Sequence, residues 1–129
     1  MLLSHECIRD ILILCEKETS LASNLEWVPI RLTSFCYSLT NYSRQDIAYT
    51  LYLLNEAGYI DCNIIEANGG IVDIFVYRLT YSGHEFLDTI KADNVWKKIK
   101  SALTSAGSIS LPVIHSLGSH YALEYLKNL

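Results

Sequence analysis

Residues 84–88 read His-Glu-Phe-Leu-Asp, one residue away from H-E-x-x-H. In that pattern two histidines a helical turn apart hold zinc, and the glutamate between them acts as general base. Asp88 takes the fifth position here, so a metal site would need His84, Asp88 and a distant third ligand such as His115 or His120. The competing reading is helix-start chemistry. Thr80 can cap, Gly83 permits close packing, and Glu85 lies near the positive end of the helix dipole. Phe86 and Leu87 then enter a core. This second reading employs the whole stretch, and no metal ligand is expected.

The other reactive side chains lead to the same place. Cys7, Cys15, Cys36 and Cys62 contain no C-x-x-C pair, and Cys7 and Cys15 fall on a helical apolar stripe. They are expected to be reduced and mostly buried. There is no G-x-S-x-G and no phosphate-cradling glycine loop. His115 and His120 are five apart, which turns them to different sides of a helix. No catalytic or cofactor-binding residue is expected, and the chain reads as a non-enzyme.

The elements that would position these residues follow from capping and periodicity. Ser4 can cap a first helix whose stripe is Ile8, Ile11, Leu12 and Cys15. Glu16 to Asn24 breaks that pattern. Residues 26–30, Glu-Trp-Val-Pro-Ile, suit one brief edge strand, and 32–40 a short helix. Ser43-Arg44-Gln45-Asp46 is an S-x-x-D cap for a helix over 43–57, buried through Ile47, Leu51 and Leu54, with Ala48 and Leu53 beside them. Gly58 would close it. Strand-like 59–65 and 71–79 flank Asn68-Gly69, a hairpin turn signal. Thr80 can cap a helix burying Phe86, Leu87 and Ile90. Asp93 can cap another with Trp96, Ile99 and Leu103, interrupted at Gly107 and Ser108. Ser110, Leu111 and Pro112 begin a last helix whose apolar face is Ile114, Leu117, Tyr121 and Tyr125.

This order implies an α+β fold: a winged helix-turn-helix with a two-stranded wing and additional C-terminal helices. The helix at 43–57 takes the recognition position, and residues 59–79 form the wing. One domain over 1–129 is expected, with the helical core and wing at 1–80 and the C-terminal helices at 81–129. Those helices would either pack on the domain or pair two chains into a homodimer.

Length and charge narrow the class. The chain has 129 residues, half of them hydrophobic, and its 10 basic and 14 acidic residues give −4. That excludes a surface wholly adapted to a polyanion. The apolar runs are far shorter than the roughly 20 residues of a membrane span. The N-terminus has no basic start ahead of an apolar core, so no signal peptide or membrane partner is expected, and the location is read as cytoplasmic.

Two stretches resemble known families. Residues 47–62, IAYTLYLLNEAGYIDC, are similar to the recognition helix and first wing strand of many bacterial winged-helix regulators. Residues 76–88, VYRLTYSGHEFLD, resemble the second wing strand and following helix, often written Y-x-L-T-x-x-G. The longer run LTYSGHEFLDTIKADNVWKKIK at 79–100 resembles an uncharacterised domain-of-unknown-function family found largely in prophages and mobile elements. That resemblance implies a winged-helix fold over most of the chain and brings no established activity. The family pattern often places a histidine after the tyrosine of the central helix. Thr50 follows Tyr49 here, so no role of that histidine carries over.

Two surfaces remain as recognition candidates. Arg44, Gln45, Tyr49, Tyr52 and Asn55 are the residues of the central helix expected to be exposed, and their types suit bases or phosphates. Across 43–81, however, two arginines face five carboxylates, a net −3. Lys91, Lys97, Lys98 and Lys100 form a basic patch that a solvated helix face also explains. Seven of the nine tyrosines lie between 37 and 81, a composition suited to a protein interface. The leading expectation is a phage or mobile-element accessory protein that recognises a host protein complex, for instance to inhibit a defence system. The alternative is a DNA-binding transcriptional regulator acting through helix 43–57 and wing 59–79.

Overall fold

The computed structural model describes residues 3–106 and 109–128. The fold is mixed α+β, and the chain divides into two compact units, Met1–His84 and Glu85–Leu129.

The first unit begins with α1, His5–Glu18, whose Ser4 Oγ accepts a hydrogen bond from the Cys7 N–H (3.2 Å). Its predicted stripe of Ile8, Ile11, Leu12 and Cys15 is buried, joined by Cys7. The helix runs three residues into the segment expected to break it, because Thr19 closes it by donating from both N–H and hydroxyl to the Cys15 carbonyl.

The single strand expected over 26–30 is instead two. Strands β1, Ser20–Leu21, and β2, Trp27–Val28, form a small antiparallel hairpin, while β3, Ile30–Arg31, pairs with a different strand. Pro29 separates them. It has no N–H to continue a ladder, so the chain changes sheet there.

Helix α2, Leu32–Ser38, buries Leu32 and Phe35. Helix α3, Arg44–Glu56, is capped as its sequence predicts, the Asp46 N–H donating to Ser43 Oγ (3.0 Å). It buries Ile47, Leu51 and Leu54, together with Thr50, whose hydroxyl donates to the Asp46 carbonyl (2.7 Å). Gly58, at φ +83°, ends the helix. The Tyr59 N–H reaches the Leu54 carbonyl and the Gly58 N–H the Asn55 carbonyl, the paired bonds of a Schellman close.

Strands β4, Ile60–Ala67, and β5, Gly70–Leu79, form the long hairpin. Asn68 (φ 54°) and Gly69 (φ 81°) are both left-handed, as a two-residue type I′ turn requires. The three-stranded antiparallel sheet has the order β3-β5-β4. The core of this unit combines the α1, α2 and α3 residues above with Ile30, Ile60, Ile74, Val76 and Leu79. Each fully buried aliphatic side chain contributes about 1.5–3 kcal/mol.

Helix α4, Tyr81–Ile90, opens at Thr80, whose Oγ1 accepts from the Gly83 N–H (3.1 Å) while its hydroxyl donates to the Gly58 carbonyl. The second unit contains the rest of α4, then α5, Asp93–Ala106, and α6, Leu111–Lys127. Phe86, Leu87, Ile90, Val95, Trp96, Ile99, Leu103 and Ile114 are buried. Asp93 lies inside the first turn of α5 rather than ahead of it. The expected interruption at Gly107 and Ser108 lies outside the described residues. On α6 the predicted apolar face is only partly covered: Ile114 is buried, Leu117 and Tyr121 are half-buried, and Tyr125 is exposed. Gly118 is buried instead, since a Cβ there would stand 2.8 Å from the Thr89 carbonyl oxygen. Close approach at the glycine sets which side of α6 is covered. No helix among the described residues is long and apolar enough to cross a membrane.

Candidate recognition groove

The Ser43 cap fixes where α3 starts, and burial of Ile47, Thr50, Leu51 and Leu54 fixes its rotation. Arg44, Gln45, Ala48, Tyr49 and Tyr52 are thereby turned away from the core. The type I′ turn brings Gly70 and Ile71 of β5 back opposite them. Together with Leu32 these residues line a groove of about 540 Å³. Its walls are mainly apolar, because Tyr49 and Tyr52 are half-buried and present ring faces as well as hydroxyls. Arg44 and Gln45 are exposed at one end.

The charges at that end are ordered. Arg31 Nη2 stands 2.6 Å from Asp73 Oδ2, with the guanidinium 5.2 Å from the centre of the Phe75 ring. Asp73 Oδ1 accepts from the Ile74 N–H (2.8 Å). The Asp73 carboxyl is held below the ordinary carboxylate value, first by the Arg31 hydrogen bond and next by the Ile74 N–H, with Arg44 adding a smaller attraction. Arg44 therefore faces the same carboxylate from α3 without forming an ion pair with it.

A model of the family described as "Hypothetical protein (DUF2513)" matches residues 3–109. The chain belongs to the DUF2513 family. A protein of Haemophilus influenzae (strain ATCC 51907 / DSM 11121 / KW20 / Rd), described only as uncharacterized, is 29% identical over 100 residues, 78% of this chain and 76% of its own length. No solved structure matches. The family match includes all of the groove and ends before α6.

Four of the five residues predicted for the recognition surface of this DUF2513 chain meet in the groove. Asn55 takes a different part. The Cys62 N–H donates to its Oδ1 (3.2 Å), where a register shift between Asp61 and Cys62 interrupts the β4–β5 ladder. One turn beyond Tyr52, this side chain fastens β4 to α3. Leu32, Gly70 and Ile71 were not anticipated, although the Ile71-Val72 pair directly after the turn was a visible signal.

The lysines predicted as a patch, Lys91, Lys97, Lys98 and Lys100, are all exposed on or beside α5. Lys98 is engaged within its own unit, with Nζ 3.6 Å from Glu124 Oε2 and near the rings of Tyr121 and Tyr125. His84 and Asp88 are exposed on α4, and no group of three or more His, Cys, Asp or Glu side chains among the described residues is placed to hold a metal. The two histidines considered as third ligands are otherwise occupied. His115 meets the Phe86 ring edge-on at 5.8 Å, and His120 Nε2 lies 3.1 Å from Glu124 Oε1.

All four cysteines are free thiols, with Cys7 and Cys15 buried. Burial pushes the Cys15 and Cys62 thiols up to about 12. Tyr42 OH donates to Asp10 Oδ2 (2.6 Å), so this tyrosine ties the loop before α3 to α1. Tyr37 and Tyr81 are the strongly exposed members of the central tyrosine group, at 87% and 77%.

Proposed function

We propose that the chain is a non-catalytic recognition module in which a winged-helix scaffold binds a protein through the α3–wing groove. One observation carries this reading: the groove is apolar, and the wing tip beside it carries no cation. Residues 67–72 are Ala, Asn, Gly, Gly, Ile and Val, with Ile71 and Val72 exposed. Duplex binding draws most of its non-specific affinity from Lys and Arg on phosphates. An exposed apolar wing instead favours a partner that buries apolar surface. The mobile-element setting implied by the resemblance at 79–100 makes a host protein complex, such as part of a defence system, the expected partner.

Affinity purification of the tagged chain from a bacterial host lysate, beside an Ala48→Phe variant that fills the groove, tests this. A protein retained by the parent and lost with the variant is the expected result. Sequence-selective duplex binding weakened by Arg44→Ala would refute it in favour of a regulator.

A further inference from the structure

Resting on the proposal that the groove binds protein, we infer that its ligand is an acidic amphipathic segment, with a bulky apolar side chain seated between Tyr49, Tyr52 and Ile71 and a carboxylate meeting Arg44. Charge is the first ground. The chain is −4 overall and −3 across 43–81, yet the groove is lined by the exposed guanidinium of Arg44, with that of Arg31 nearby on the Asp73 carboxylate that Arg44 also attracts. The Arg31 charge is shared with Asp73 at 2.6 Å, while Arg44 has no ion-pair partner among the described residues. It is a cation left available at the end of an apolar channel, and a planar guanidinium suits a carboxylate bidentately.

Backbone hydrogen bonding is the second ground. Extended peptides often add a strand to an open sheet edge. β5 is paired along its length by β4, but β3 covers its other side only at Phe75 and Val76. The position that a strand lengthening β3 would occupy is closed, because the Ile74 N–H is already satisfied by Asp73 and Arg31 pins that carboxylate in place. This is the charged-edge protection by which sheets refuse extra strands. The ligand is therefore read through side chains, as when an amphipathic helix lays its apolar face in a groove. A volume of about 540 Å³ accommodates such an anchor. A basic segment would instead bring its cations against Arg44.

The test is a selection of random displayed peptides, about a dozen residues long, on the intact chain, with counter-selection on Ala48→Phe. Binding of the selected peptides is then measured against Arg44→Ala and Gln45→Glu, two exposed positions where substitution leaves the fold intact. Enriched sequences are expected to carry Asp or Glu near Phe, Leu or Trp. They should bind about tenfold more weakly to Arg44→Ala, weaker still to Gln45→Glu, and unchanged to Lys97→Ala. Groove-dependent sequences that are neutral or basic would leave the groove a protein site but overturn its preference for acid. Failure to enrich any groove-dependent sequence would overturn both. Displacement of the peptides by random-sequence duplex DNA at physiological salt would assign the groove to nucleic acid.

Discussion

Gly83→Ala separates packing from helix propensity, because the two demand opposite signs. Gly83 lies in the first turn of α4, inside the stretch that looked like a metal motif. On propensity alone, alanine in a helix is better than glycine by up to about 1 kcal/mol. The structure opposes this. A Cβ at residue 83 would stand 2.0 Å from the Tyr59 carbonyl oxygen and 3.0 Å from its carbon, where ordinary contact begins at 3.4 Å. The obstacle is backbone, and it is held from both sides: the Tyr59 carbonyl accepts from the Thr80 N–H (3.1 Å), and the Tyr59 N–H closes α3. Accommodating the methyl means parting these segments by more than an ångström. Overpacking of this kind costs about 1–3 kcal/mol, and loss of the Thr80–Tyr59 bond adds about 1 kcal/mol. After the propensity gain the net loss is about 1–3 kcal/mol, a sizeable part of a typical stability of roughly 5–15 kcal/mol. Urea denaturation followed by circular dichroism measures it, with Ser82→Ala, exposed on the same turn, as a control expected within about 0.5 kcal/mol of the parent. A Gly83→Ala protein as stable as the parent would refute the close approach at Tyr59.

Three further outcomes follow from the same geometry. Asp73 has a depressed folded pKa, so its contribution is present above the unfolded carboxylate value of roughly 4 and is lost as pH falls below it. Asp73→Asn should flatten the acid limb of a stability-versus-pH curve, and an unchanged limb would mean that the Arg31 pair contributes nothing. With thiols near 12, Cys15 and Cys62 in the native state should react at pH 8 with a thiolate population on the order of a thousandfold below that of a free cysteine; mass spectrometry after timed alkylation reads this site by site. Gly58→Ala should cost only about 1 kcal/mol, since a Cβ there meets nothing within 4 Å and the penalty is the left-handed backbone alone; Gly58→Asn should recover part of it in the same urea titration.

These positions also show what could be read from sequence. Ser43, Gly58 and Asn68-Gly69 act on neighbours within a few residues, so their caps and turns were legible without tertiary knowledge. Pro29 was legible as a disturbance but not as the boundary between two sheets, because two-residue strands leave no periodicity to detect. Asn55 was misplaced for a different reason. Helical rotation puts it on the outer side of α3, and only the approach of Cys62 shows that its amide is already used. The groove was half legible: its α3 wall follows from the cap, whereas Gly70 and Ile71 arrive through the hairpin register. The α6 face failed at Tyr125 because an apolar stripe says which side prefers cover, not how far the cover extends.

The remaining alternative, duplex binding, can be bounded from the cations present. The α3–wing surface offers Arg44, Arg31 and Arg78, the last two already facing Asp73 and Asp61 at 2.6 and 3.5 Å. If all three were given to phosphates, the slope of log affinity against log salt would be about −2.7, a loss of about fortyfold between 50 and 200 mM salt. Proteins making six to ten phosphate contacts lose about a thousandfold or more over that range. Affinity built on three cations, two of them already shared, beside Asp61, Glu66 and Asp73 has little to lose because it starts weak. No measurable duplex binding at physiological salt is therefore expected by fluorescence anisotropy. A slope steeper than about −4 would refute this, since no assignment of the α3–wing arginines can produce it. Were that slope abolished by Lys97→Ala with Lys100→Ala and untouched by Arg44→Ala, the phosphates would lie on α5. The groove would then still be free for a protein.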